Sequence, residues 1–147
     1  MKEARFEFRT IVEAKRLAAL VAHAFPEPDR VLLGLMELLS NAVEHGNLGL
    51  SYAEKGKLIE SGGLHQEVAR RLELVEYRDR LAVLRLKRTS EFLEVHIQDE
   101  GEGFDFRRYL DFHPDRALDS HGRGIAMARH TAFDGLEYHG RGNEVTA

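Results

Sequence analysis

Phe6 and Phe8 alternate with Glu7 and Arg9, which is the two-residue period of a short strand with one apolar face. The period then changes. From about Ile11 to Phe25, Val12, Leu17, Leu20, Val21 and Ala24 recur at helical spacing, and Pro26 and Pro28 break the helix they predict. Asp29 is placed to cap a second helix running from about Arg30 to His45, which Gly46-Asn47 ends. Between Leu48 and Arg80 the chain is polar, punctuated by glycine and free of β pattern. Its later part carries Val68, Leu72 and Val75 at helical spacing, so a helical insert is expected at about 48–80. Alternation returns at Leu84 and Leu86, then at Leu93, Val95 and Ile97, with Thr89-Ser90-Glu91 suited to the hairpin loop. Phe104 to His121 is charged and weakly patterned, too long for a simple turn. Gly122-Arg123-Gly124 opens a helix from Ile125 to about Thr131. Strands near Leu136–His139 and Asn143–Thr146 close the chain. This order predicts an α+β fold, a two-layer sandwich in which helices cover one face of a mostly antiparallel sheet.

Composition narrows the picture. At 147 residues the chain suits one domain, and 43% hydrophobic residues can supply its core. No apolar run approaches the roughly 20 residues of a membrane span, and Met1–Phe8 is not an apolar export signal. With no cysteine, disulfides and thiolate metal sites are excluded, which is compatible with the cytoplasm, the expected location. A net charge of −4 gives no general attraction to nucleic acid, and the aromatic residues form no stacking platform for it. Neither nucleic acid nor a membrane is therefore an expected partner. The closing Asn143–Ala147 segment reads as a strand that stops abruptly, as in a piece of a longer protein.

Three places could carry chemistry. On the second helix Val31, Leu35, Leu38, Leu39, Ala42 and Val43 form an apolar face, while Glu37, Asn41 and Glu44 gather opposite. Glu37 and Asn41 lie one turn apart and reach the same small volume. Taken alone they read as a solvated face. Yet a mid-helix Asn is a poor helix former, its amide oxygen suits Mg²⁺, and a carboxylate one turn away can orient a hydroxyl for attack on phosphorus. Asp99 continues the inward phase of Leu93, Val95 and Ile97, so its carboxylate needs donors at the strand end; an adenine amino group would supply one. Gly101 and Gly103 permit a sharp turn close to a flat ligand, although an Asp-Glu-Gly turn is common in itself. Gly122-Arg123-Gly124 before a helix would aim backbone N–H groups at a phosphate, and is equally a flexible loop. The eight histidines include no close pair with a carboxylate that would mark a metal site.

The order of these three signals resembles the GHKL ATPases, the superfamily of gyrase, heat-shock chaperones, histidine kinases and MutL. Glu37-Leu-Leu-Ser-Asn41-Ala-Val-Glu-His45-Gly46-Asn47 is similar to their N box. Asp99-Glu-Gly101-Glu-Gly103-Phe-Asp105 is similar to the first glycine box, and His121-Gly122-Arg123-Gly124-Ile-Ala-Met127 to the second. The resemblance covers the chain outside the insert. It implies the Bergerat fold, with ATP between the helices and a lid, Asn41 on Mg²⁺, Asp99 on adenine, and Gly101, Gly103, Gly122 and Gly124 shaping the base and phosphate pockets; Arg123 would contact a phosphate or solvent, and His45 would pack near the phosphates or simply finish its helix.

Glu37 placed four residues before Asn41, with a short lid, is most similar to the anti-sigma-factor serine/threonine kinases, in which the matching glutamate is the proposed catalytic base. That implies a protein partner, either a sigma factor or an antagonist domain, or a fused receiver or phosphatase module; a homodimer is compatible. A non-catalytic nucleotide-dependent binding module and the ATP-binding part of a histidine kinase are the alternatives. Two features depart from the pattern: the insert, and Asn143 where the superfamily usually carries an adenine-site Thr, a place at which Asn143 would make the same hydrogen bonds or Thr146 would lie near the site instead. The insert is a candidate docking surface, and its deletion is expected to spare ATP binding.

Overall fold

Residues of one parity carry the apolar side chains on every strand, and antiparallel pairing lines them up. The computed structural model describes residues 2–103, 106, 110, 124–139, 142 and 144–146. Among these, β1 (Lys2–Phe8), β2 (Ala82–Arg88), β3 (Leu93–Gln98), β4 (Glu137–His139) and β5 (Glu144–Thr146) form one sheet in the order β1-β2-β3-β5-β4. All neighbouring strands are antiparallel, and one row, Phe6–Leu84–Ile97–Val145–Tyr138, crosses all five. The adjacent row, Arg5–Arg85–His96–Thr146–Glu137, is polar throughout and faces away. A sheet patterned in this way must be covered on one side only.

The helices supply that cover. α1 (Ile11–Ala22) starts at a capping box: Thr10 accepts from the Glu13 N–H, and the Glu13 carboxylate accepts from the Thr10 N–H. It packs against α2 (Pro28–Asn41). The buried stripe of α1 is Ala14, Leu17, Ala18, Val21 and Ala22, whereas Val12 and Leu20 stand 56% and 58% exposed. The expected apolar set was thus rotated by part of a turn. Alanines at the interface let α1 approach α2 closely, and the larger Val12 and Leu20 remain outside. Asp29 is not the cap of α2 either. Glu27 holds that position without a side-chain bond, Pro28 occupies the first turn, and Asp29 adds its charge there.

The helix does not simply end at Asn41. It continues as a wide π turn, Ala42–Asn47, in which the Leu48 N–H donates to the Val43 carbonyl. The insert holds two helices, α3 (Tyr52–Ser61) and α4 (Leu64–Leu72). Only the second was legible, because α3 buries no residue fully and so carries no strong stripe. Val75, expected on the apolar side of α4, lies beyond its end and is 75% exposed. α5 (Gly124–Met127) runs into a second π turn, Ala128–Ala132, that packs on α2. Gly34 makes this crossing possible, since a Cβ there would stand 2.5 Å from the Ala132 Cβ. The structure is the α+β sandwich expected, with Leu35, Leu39, Val43, Leu84, Val95 and Ala128 in its core. No helix among the described residues is long and apolar enough to cross a membrane.

Candidate functional site

The wide turn at the end of α2 and the turn after β3 are locked together. Asn47, 1% exposed, accepts the Glu100 N–H on its amide oxygen at 2.7 Å, and its own carbonyl takes the Arg80 guanidinium at 2.9 Å. The Glu100 carboxylate accepts the Leu81 N–H at the start of β2. One buried amide therefore fixes the helix end against two strands. Sequence reading gave Asn47 only a helix-stopping role, because its amide partner lies 53 residues away.

This clasp brings Gly46 and Asp99 into van der Waals contact. A Cβ at Gly46 would fall within 2.7 Å of Asp99 Oδ1, and one at Gly101 would run into the Gly46 carbonyl. Both glycines are needed for close approach rather than for flexibility. The Gly101 N–H donates to Asp99 Oδ1 at 2.8 Å, holding one carboxylate oxygen. Gly103, at φ 87°, turns the chain through the left-handed region.

Beside Asp99 opens a narrow cleft with a cavity volume of about 20 Å³. Asn41, His45, Gly46, Asp99, Gly103 and Gly142 contribute to its polar side, and Leu38, Ala42, Ile97, Val145 and Tyr138 to its apolar floor. Four of the residues expected at a nucleotide site, Asn41, His45, Asp99 and Gly103, thus meet at one opening. Tyr138, on β4, was not anticipated. Burial, and then the negative charge of Asp99, push its phenol above the ordinary tyrosine range, so it stays a neutral hydrogen-bonding group. Its ring stacks on Phe106 at 5.2 Å.

Glu37 stands apart from this opening. It is half-buried one turn before Asn41, and its carboxylate packs against Gly124, where a Cβ would lie 2.6 Å from the carboxyl carbon. Glu37 and Gly124 therefore meet each other, and neither lines the cleft. Gly122, Arg123 and Asn143 lie outside the described residues. Glu44 does not share the exposed face with Glu37 as expected. The π turn, with its longer repeat, carries Glu44 inward to 6% exposure, and Lys55 of α3 pairs with it at 2.9 Å. Among the described residues no group of three or more His, Asp or Glu could hold a metal ion.

A helix end, a strand-end carboxylate and close-packed glycines thus meet around an apolar-lined cleft in an α+β domain. The chain belongs to the histidine kinase-like ATPase domain family, whose sequence profile matches residues 1–147. It is accordingly an ATP-binding domain of that family. A search of curated proteins found no match.

Proposed function

We propose that this domain is the Mg-ATP-binding element of a cytoplasmic signalling switch of the anti-sigma-factor serine/threonine kinase type, acting on a protein partner. The observation that carries this reading is the meeting of Asn41 and Asp99 in one cleft from elements 58 positions apart in the sequence, 99 minus 41. The Gly101 N–H orients the Asp99 carboxylate through Oδ1, and that carboxylate would accept the exocyclic amine of adenine. The apolar lining of Leu38, Ile97 and Val145 would meet the faces of a purine, which enters only as the narrow cleft widens.

Asn41 would hold Mg²⁺. A single neutral amide oxygen, with no carboxylate cluster beside it among the described residues, fits an ion that takes most of its ligands from phosphates and water, and the ion would neutralise phosphate charge. Glu37 is the residue that would accept the proton of a Ser or Thr hydroxyl on the partner. In the present arrangement it lies against Gly124, so a productive complex requires the start of α5 to move away from it. That contact is also the specific support for the second reading, a nucleotide-dependent binding module that transfers no phosphate.

Calorimetry decides the first part. ATP is expected to bind the domain, and Asp99→Asn and Asn41→Ala are each expected to weaken it at least tenfold, Asn41→Ala only when magnesium is present. Retention of full affinity in Asp99→Asn sinks the assignment of this cleft. Labelled ATP offered with a sigma factor, antagonist, receiver or phosphatase module then separates the readings. A kinase labels Ser or Thr on its partner, and Glu37→Gln abolishes the label while leaving ATP affinity in place. Binding without labelling by any of these modules selects the binding module.

A further inference from the structure

α3 of the insert reaches back to the nucleotide cleft. Its first residue, Tyr52, lines the opening, and its ring stacks on His45 with centroids 3.8 Å apart and planes 12° from parallel. The ring of His45 is itself oriented from the insert side: Nδ1 donates to the Leu50 carbonyl, which can only accept. His45 immediately precedes Gly46, the glycine pressed against Asp99, so the stacked pair borders the carboxylate assigned to the base. Three further contacts hold α3 and α4 in place. Lys55 reaches the buried Glu44, Arg71 donates to the Leu48 carbonyl, and Arg9 donates to the Leu72 carbonyl at the end of α4. Ser51 fixes the first turn of α3, and with it Tyr52, through a capping box with Glu54.

We infer that Tyr52 is a nucleotide-contacting residue, and that the insert completes the purine pocket with an aromatic wall made of Tyr52 and His45. The rings are too close to admit a third between them, so the base lies against the cleft side of the pair, within reach of Asp99. Aromatic stacking is tolerant of the base but not of its loss, and it depends on a ring rather than on bulk. The deletion of 48–80 therefore does not spare ATP binding: it removes half of the wall and the hydrogen bond that orients the other half. A partner that grips the insert acts on nucleotide affinity through Tyr52, and ATP acts on that partner by the same factor.

This inference rests on the assignment of the cleft to ATP. Its test uses the whole chain with ATP as the probe, comparing Tyr52→Phe and Tyr52→Leu by calorimetry and thermal melting. Leu and Phe are both apolar and differ in the ring. Tyr52→Phe is expected to bind ATP as the parent chain does, and Tyr52→Leu on the order of tenfold more weakly, with the two melting together. Equal ATP affinity in the two variants overturns the aromatic wall, whether that affinity is high or low. A parent chain that fails to bind ATP overturns instead the proposed function.

Discussion

Gly46→Ala is the most direct probe of how the site is held. The added Cβ lands on the Asp99 carboxylate, at 2.7 Å from Oδ1 and closer still to the other carboxyl atoms. An ordinary carbon contact needs roughly 3.5 Å, so the carboxylate must retreat by about 1 Å. It has little room, since the Gly101 N–H holds Oδ1 and Gly101 itself rests on the Gly46 carbonyl. The retreat pulls the carboxylate away from an adenine amine. A hydrogen bond to a charged group is worth about 1.5–3 kcal/mol, which translates to an affinity loss of about 10- to 100-fold. Overpacking should also cost about 1–3 kcal/mol in stability. Isothermal titration with ATP reads the first effect and urea unfolding the second. Gly135→Ala is the control, because nothing lies within 4 Å of a Cβ there. Unchanged ATP affinity in Gly46→Ala, with unfolding shifted or not, refutes the claim that Asp99 recognises the base from this position.

Two further outcomes test the attachment of the insert. Lys55→Met keeps most of the aliphatic stem but strands the Glu44 carboxylate, whose side chain is only 7% exposed. Unfolding free energy should fall by about 3 kcal/mol, and Glu44→Gln added to Lys55→Met should recover most of it; a loss under about 1 kcal/mol would mean the pair is solvated. The second outcome concerns acid. Hydrogen bonds from Arg70, and then Arg71, hold the Glu67 carboxyl down to about 2 from its ordinary 4.5. A depressed folded value contributes stability that is complete above 4.5 and lost as pH falls towards 2. Glu54 is lowered as well, first by the Ser51 N–H and also by Arg71, so α3 too should loosen as acid protonates it. Hydrogen exchange along α3 and α4 at pH 6 and pH 3 measures this. Glu67→Gln should abolish the part of the pH dependence in α4, and α4 amides equally protected at both pH values in the parent chain would contradict it.

The strands were legible because each has one wet face. Phe6, Phe8, Leu84, Leu86, Val95 and Ile97 alternate with charges, and the structure puts all six on the helix side or packed against it. Asp99 was legible for the same reason, since it keeps their phase at the strand end. Asn41 and Glu37 were found by their one-turn spacing, yet spacing says nothing of the loop opposite, so Glu37 facing Gly124 was not foreseen. Tyr52, Lys55 and Tyr138 were invisible for another reason. Tyr52 and Tyr138 reach the cleft, and Lys55 the Glu44 carboxylate, from elements whose own patterns are weak: an amphipathic helix with no fully buried residue in two cases, and a three-residue edge strand in the third. Long-range partners such as Asn47 and Glu100 leave no local periodicity at all.

The departures from expectation just past Asn41 share one cause. Extrapolating α2 at 100° per residue through Asn47 puts Glu44 in solvent beside Asn41. The π turn over Ala42–Asn47 breaks that extrapolation just past Asn41. By widening the repeat it turns Glu44 under α3, buries Asn47 and presents Gly46 flat to Asp99. A second π turn, Ala128–Ala132, follows α5 and closes on the same helix at Gly34. A regular helix would bond every carbonyl four residues on and would carry the residues after Asn41 past the β3 turn. The wide turn costs helical regularity, and what offsets it is tertiary: the Asn47 clasp, the Lys55 pair and the close glycine contacts. Each of those contacts involves a residue at or next to the cleft. Restoring a regular helix there, by deleting one residue of the turn, would therefore disconnect Asp99 from α2 while leaving the core stripe of Val31, Leu35, Leu38 and Leu39 intact.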